Sequence, residues 1–275
     1  MAAPVKIRSS VGFRSSIVYE IDQNTGYPLA TAITPYDGIQ VIGSNALNIT
    51  FPEARQVEHV GDDFVMLLDI LPPNTAAFGE LIAASIDDNL DRAATSNLSY
   101  VIGDSNMITI ATDNQGFENQ LAVLAYREAA ANDPSTGAVT PLGARLWDFR
   151  IFPRAYLIPR EPPYTATPDL HPFTFRPQFI NQYPWGTALT KGVEGALRAQ
   201  WIRGVRKNKP HIVAWKQTGV GSVFAFGTNF QCADTTSAQF WVNGVLSVSP
   251  TVTTANVTLA SAPAANAIIV GYYGF

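Results

Sequence analysis

AQFWVNGVLSVS, residues 238–249, decides the fold. Phe240 and Val242 alternate with Trp241 on the way into Asn243-Gly244, and Val245, Leu246 and Val248 follow. Asn-Gly tolerates positive φ at both central positions of a type I′ turn, whose twist matches two antiparallel strands, so the stretch predicts a tight β-hairpin. Downstream, Asn256-Val257-Thr258-Leu259 is β-rich, residues 262–266 punctuate it, and residues 267–273 resume the strand pattern. The end of the chain is therefore expected to be an antiparallel meander. Residues 217–275 carry a single charged side chain, Asp234, and close on Gly-Tyr-Tyr-Gly-Phe. A segment so polar yet uncharged reads as a compact β module on a surface that partners cover.

The chain has 275 residues, enough to bury a sizeable core in one large domain or two modest ones. Two unequal parts are expected, a main β domain over residues 1–205 and a small β module over 206–275, with truncation near Val205 leaving the first part folded. The 47% hydrophobic content, with 19 Pro and 20 Gly, fits a loop-rich β protein rather than a helix bundle or a disordered chain. Charged residues make up 15%, a deficit which implies that much of the surface faces other copies. The net charge of −4 hides a split. Residues 1–190 hold 20 acids and 11 bases, whereas residues 191–275 hold 2 acids and 7 bases. Opposite signs on two parts of one chain suit head-to-tail contact.

With one cysteine, Cys232, there is no intramolecular disulfide, and His59, His171 and His211 offer no zinc spacing. Residues 1–10 lack the apolar run of a signal peptide, and residues 64–71 are too short and too acidic to cross a bilayer. The chain is expected to be soluble and made in a cytoplasm, so its Asn-x-Ser/Thr sequons count as chance occurrences.

Along the chain, residues 5–21 have strand composition and break at the turn formers of residues 22–28. Short strands are expected at 39–42, 46–51, 55–59, 98–102, 107–111, 121–126 and 144–152, which indicates a sandwich or barrel. One helix is predicted after Pro72-Pro73, capped by Asn74 or Thr75, in which Phe78, Leu81, Ile82, Ile86 and Leu90 recur at threes and fours. Its acids, Glu80, Asp87, Asp88 and Asp91, fall largely on the opposite face. Seven prolines between residues 156 and 186 impose extended chain. Residues 191–205 read equally as helix or strand.

No motif carries chemistry. Gly61-Asp62-Asp63 has no second acidic strand to make a metal site, Gly219-Val220-Gly221 precedes a strand rather than a helix, and no serine sits in a Gly-x-Ser-x-Gly elbow. The five tryptophans offer a sugar-stacking platform or, more commonly, core packing. The basic set Arg198, Arg203, Arg206, Lys207 and Lys209 reads as an inter-subunit patch that pairs with a neighbour's acids, with nucleic acid as the other reading.

Val11-Gly12-Phe13-Arg14, leading through Ile17-Val18-Tyr19 to Asp22 and Thr25-Gly26-Tyr27-Pro28, joins the acidic helix, the loop-rich middle, and Phe175-Arg176-Pro177-Gln178-Phe179 before Trp185-Gly186-Thr187. In this pattern the chain resembles a major tail tube protein of a tailed bacteriophage. FWVNGV and SAPAANAIIVGYY resemble small β modules of phage tail and fibre proteins. The resemblance implies a β-sandwich or barrel with one flanking helix. It implies six copies in a ring, rings stacked by a loop and terminal arms, contacts with other tail proteins, and a place in the virion. It implies neither enzymatic activity nor a cofactor. Glu80, Asp87, Asp88 and Asp91 would be lumen-facing acids, past which DNA slides without sticking, because phosphates bind cations. A capsid decoration, head-completion or baseplate protein and a carbohydrate-binding fibre-like module are the alternatives.

Overall fold

The computed structural model describes residues 7–41, 46–50, 55–61, 64–71, 78–83, 88–95, 99–101, 108–110, 119–131, 146–160, 170–178 and 202–275. In chain order these hold β1 (Ile7–Glu20), β2 (Ile39–Val41), β3 (Ala46–Thr50), β4 (Arg55–Gly61), β5 (Phe64–Leu71) and β6 (Phe78–Ala83), then the helix α1 (Asp88–Thr95). There follow β7 (Ser99–Val101), β8 (Ile108–Ile110), β9 (Gln120–Ala131), β10 (Leu146–Pro159), β11 (His171–Pro177) and β12 (Ile202–Arg206). The last part contributes β13 (Pro210–Lys216), β14 (Val223–Ala225), β15 (Gln239–Val242), β16 (Val245–Leu246), β17 (Thr251–Val252), β18 (Asn256–Thr258) and β19 (Ile268–Gly274). The protein is mainly β, and no helix among these residues is long and apolar enough to cross a membrane.

The largest sheet runs β2-β1-β9-β10-β11-β6-β3, antiparallel throughout. β10 is long enough to serve two neighbours on one edge: residues 147–151 pair with β12 and residues 155–159 with β11. β4-β5 and β7-β8 form separate two-stranded ribbons. After β12 the chain adds no strand to the large sheet. It builds a four-stranded sheet, β13-β19-β15-β16, and a three-stranded one, β14-β18-β17.

Period-two alternation turns these sheets into layers. On β13, Ile212 and Ala214 point one way and Val213 and Trp215 the other, and on β15 Trp241 and Phe240 divide likewise. The first set meets Ile17, Tyr19, Leu124, Tyr126, Phe149 and Ile151 of the large sheet in one shared core. The second set meets Phe224, Phe226, Val257 and Leu259 of the three-stranded sheet in another. The far face of the large sheet forms a third core, with Val18, Val123, Phe152, Phe173, Phe175 and Leu81 closing around Leu90, Ala93 and Ala94 of α1. The order is helix, large sheet, four-stranded sheet, three-stranded sheet. Strands buried on both faces read as near-continuous apolar runs, and IVAW (residues 212–215) and IIV (residues 268–270) are of that kind.

The hairpin at residues 239–246 is as expected: Trp241 pairs with Leu246 and Val242 with Val245. Asn243 and Gly244 hold φ of 47° and 80°, the left-handed pair that a type I′ turn requires. Asn243 also fastens the turn to the neighbouring strand, because its Oδ1 accepts the Ile268 N–H at 2.8 Å.

Two expectations fail. The helix of residues 75–90 is absent: residues 78–83 are strand β6, and the helix begins at Asp88. Spacings of three and four among Phe78, Leu81 and Ile82 fit a helix, yet pairing with β3 on one side and β11 on the other overrides that local pattern. The terminal meander is also absent, since β18 and β19 do not pair with each other. β18 joins β14 and β17, and β19 sits between β13 and β15, so these last two strands belong to different layers.

Candidate interaction surfaces

The four acids expected on one helix face are not on one element. Glu80 lies on β6, where its Oε1 accepts a hydrogen bond from Arg160 Nη1 at 3.1 Å. Asp88 opens α1, and Asp91 lies half-buried on the same helix with an interaction of its own. Asp87 lies outside the described residues. The exposed Glu80–Arg160 pair contributes at most about 1 kcal/mol.

The basic set divides as well, because β12 has the period of a strand. Ile202 packs on the shared core, and a Cβ at Gly204 would meet the Phe149 ring at 2.3 Å, so residues 202, 204 and 206 face the C-terminal layers. Arg203 points to the opposite face. Arg206 lies over the Tyr272 ring at 4.4 Å and donates Nη2 to the Ser237 carbonyl at 2.7 Å and to the Ser237 hydroxyl. Lys209 Nζ sits 5.4 Å from the Trp147 ring centre and 5.5 Å from that of Phe275. Lys207 is exposed in the turn to β13, and Arg198 lies outside the described residues. A patch read from five nearby sequence positions is thus two sites on opposite faces.

Arg203 belongs to a charged cluster with Asp148 of β10 and Arg127 of β9. Asp148 is 3% exposed, and Oδ1 accepts from Arg203 Nε at 3.0 Å. Its Oδ2 accepts from Arg203 Nη2 at 3.1 Å and Arg127 Nε at 2.9 Å. Burial alone would push this carboxyl up, but the hydrogen bonds and charges of Arg203 and Arg127 outweigh it and hold the carboxyl below its ordinary value. The same bond raises Arg203.

Where the C-terminal layers meet the large sheet lies a polar knot that the sequence did not disclose. His211 on β13 is fully buried, with Nε2 2.8 Å from Asp37 Oδ1. Its ring stacks on Phe230 at 4.1 Å and meets the edges of Tyr273 and Phe275. Burial lowers the His211 pKa and Asp37 only partly opposes it, so the ring is neutral, with the proton on Nε2 facing the carboxylate. Its Nδ1 is buried without a hydrogen-bond partner among the described residues. Close by, the Tyr19 hydroxyl accepts from Ile212 N at 3.3 Å and the Tyr36 hydroxyl from Glu20 N at 2.9 Å. A His–Asp pair is the orienting half of a catalytic triad, but this imidazole is walled in by aromatic rings and works as a rivet. His211 and Asp37 stand 174 positions apart, and no spacing rule connects them.

A cleft of about 290 Å³ opens beside the Asp22 turn, lined by Glu20, Gln23, Asn119 and Gln120 among others. Its amides brace the walls. Gln23 Nε2 donates to the carbonyls of Ile21 and Gln120, Gln120 Nε2 to the Tyr156 hydroxyl, and Asn119 Nδ2 to the Ala93 carbonyl at the end of α1.

The remaining feature is apolar. Val245 is 70% exposed and Val248 78%, on and just after the edge strand β16, with Leu246 also exposed. Val220 and Val223 add to the bare apolar surface of the C-terminal layers. Trp147, Trp215 and Trp241 are buried in the cores, which removes them from any stacking platform.

No protein-family model matches the chain, and no curated protein matches it.

Proposed function

We propose that the chain is a structural virion protein whose copies assemble into stacked rings, the tail tube of a phage, through which DNA is ejected. The observation that carries this reading is the open β16 edge. Among the described residues β16 pairs with β15 alone, Val245, Leu246 and, just after the strand, Val248 are exposed, and residues 217–275 hold no charge but Asp234; the edge is two residues long and Pro250 closes it. Another chain can extend such an edge, and copies of the same chain are the partner that a 15% charge content favours. The tube, rather than another assembly, comes from the resemblance in residues 11–28 and 175–187. In this reading Glu80 on β6 and Asp88 and Asp91 on α1 are lumen candidates, and Arg206, Lys207 and Lys209 belong to the contact between copies.

The test is negative-stain microscopy with sedimentation of the purified chain over a wide concentration range. Rings or tubes are expected. Discrete trimers would favour the decoration or baseplate reading, and a monomer at every concentration and salt, with an initiator complex added, would overturn self-assembly.

A further inference from the structure

The large sheet carries a charge imbalance that the Asp148 cluster leaves unresolved. In one row across it, Val41, Ser16, Ala125, Arg150 and Arg203 are successive partners on β2, β1, β9, β10 and β12. Cross-strand partners point to the same face, so Arg150 and Arg203 stand side by side. Like charges placed directly opposite destabilise a sheet. Arg127 and Asp148 are partners in the adjacent row, two residues along each strand and therefore on that same face. Among the described residues three guanidinium groups thus share one carboxylate, a local excess of +2 in a chain whose net charge is −4. The oxygens of Asp148 are taken by Arg127 and Arg203, while Arg150 is half-buried with no carboxylate bonded to it among the described residues. Burial, then repulsion from Arg203 and Arg127, lowers its pKa. Beside it the small side chain of Ala125 makes a shallow floor, with the buried Ser16 beyond.

Arginine's planar fork matches an oxyanion through two parallel N–H groups. Asp148 orients two of the three forks and holds them in place, so a ligand would not have to order them. A single carboxylate would neutralise half of the excess, and a phosphate dianion would neutralise all of it. We propose that Arg150, with the outward N–H groups of Arg127 and Arg203, forms a binding site for a phosphate dianion, either the free ion or a phosphate monoester. This site is independent of the tube reading and lies on a different face from the β16 edge.

The experiment is calorimetric titration of the full chain with inorganic phosphate at fixed ionic strength, paired with thermal melting in phosphate and in chloride. Phosphate is expected to raise the wild-type melting temperature above that in chloride, and Arg150→Gln to weaken binding tenfold or more. In chloride Arg150→Gln is expected to melt at or above wild type, because it removes a like-charge contact. Glycerol 2-phosphate distinguishes the sources: binding equal to that of inorganic phosphate assigns the site to monoesters, and binding of inorganic phosphate alone assigns it to the free ion. No phosphate effect beyond chloride, an equal effect on the variant, or acetate binding as tightly as phosphate would each overturn the proposal. If Arg150→Gln fails to fold, Arg150→Lys decides: it keeps the charge without the fork, and phosphate binding as tight as wild type would overturn the site.

Discussion

The four-stranded sheet has two edges, and the protein treats them in opposite ways. β13 is closed from within: Tyr36 exchanges both backbone hydrogen bonds with Ala214, at 2.9 and 3.1 Å, and Lys216 N donates to the Ala32 carbonyl at 2.9 Å. His211 and Asp37 lock the same segment down at 2.8 Å. β16, at the other end of the sheet, pairs with β15 alone and shows valines to solvent. A chain able to cap one edge with its own backbone leaves the other open among the described residues, and it is this open edge that the proposed assembly would use.

The harshest way to break the contrast removes both edges. Deleting residues 207–275 strips Ile212, Ala214, Trp241, Val270 and Tyr272 from the core they share with Ile17, Tyr19, Leu124 and Phe149. Aggregation, or loss of cooperative unfolding by circular dichroism, is expected instead of the folded remnant that two independent parts would leave. A soluble remnant with a sharp transition would show that the large sheet is self-sufficient.

Opening only the closed edge comes next. Tyr36→Pro removes the N–H given to Ala214, the hydroxyl that receives Glu20 N, and a ring packed on the shared core. A loss of about 4 kcal/mol is expected in urea unfolding. A loss below about 1 kcal/mol would mean that the cap is incidental.

The lock on that edge is sensitive to acid. His211 has a folded pKa below its unfolded value of about 6.5. Above that pH the ring is neutral in both states and adds no pH dependence. Below it the unfolded chain takes up the proton first, so stability falls as pH falls, by at most about 1.4 kcal/mol per unit, until the folded pKa is reached. His211→Gln, which retains a donor for Asp37, is expected to flatten unfolding free energies between pH 6.5 and 5. An unchanged slope would assign the acid sensitivity to other groups.

How much of this was legible depended on the range of the interactions. The hairpin at Asn243-Gly244 is local, since two residues with positive φ set register and twist, and it was read correctly. β6 escapes local reading because Leu81 and Ile82 take their conformation from β3 and β11, more than 30 and at least 90 positions away. The basic set came apart for the same reason: Arg203 and Arg206 are close in sequence, but a strand's alternation separates them, and the partners that betray it, Asp148 and Tyr272, lie far along the chain. Asp37 stands 174 positions before His211, beyond the reach of any local sequence signal.

Two smaller perturbations sharpen the open edge. Gly244→Ala places a Cβ at φ of 80° and is expected to cost about 1 kcal/mol, loosening the hairpin that presents β16. Val245→Lys with Val248→Lys, both exposed, should alter the stability of the isolated chain by less than about 0.5 kcal/mol each and yet abolish rings or tubes. Normal assembly of that double variant would move the interface elsewhere.

Cys232, the one cysteine of the chain, lies fully buried in the outermost core, between the four- and three-stranded sheets, and burial pushes its thiol up. A thiol both covered and protonated reacts only during moments when those layers part. Its alkylation rate is therefore a clock built into the molecule. Read with a small reagent, one sulfur atom times the breathing of the sandwich against the steadier interior, and a copy docked on the outer layers would slow that clock without touching it.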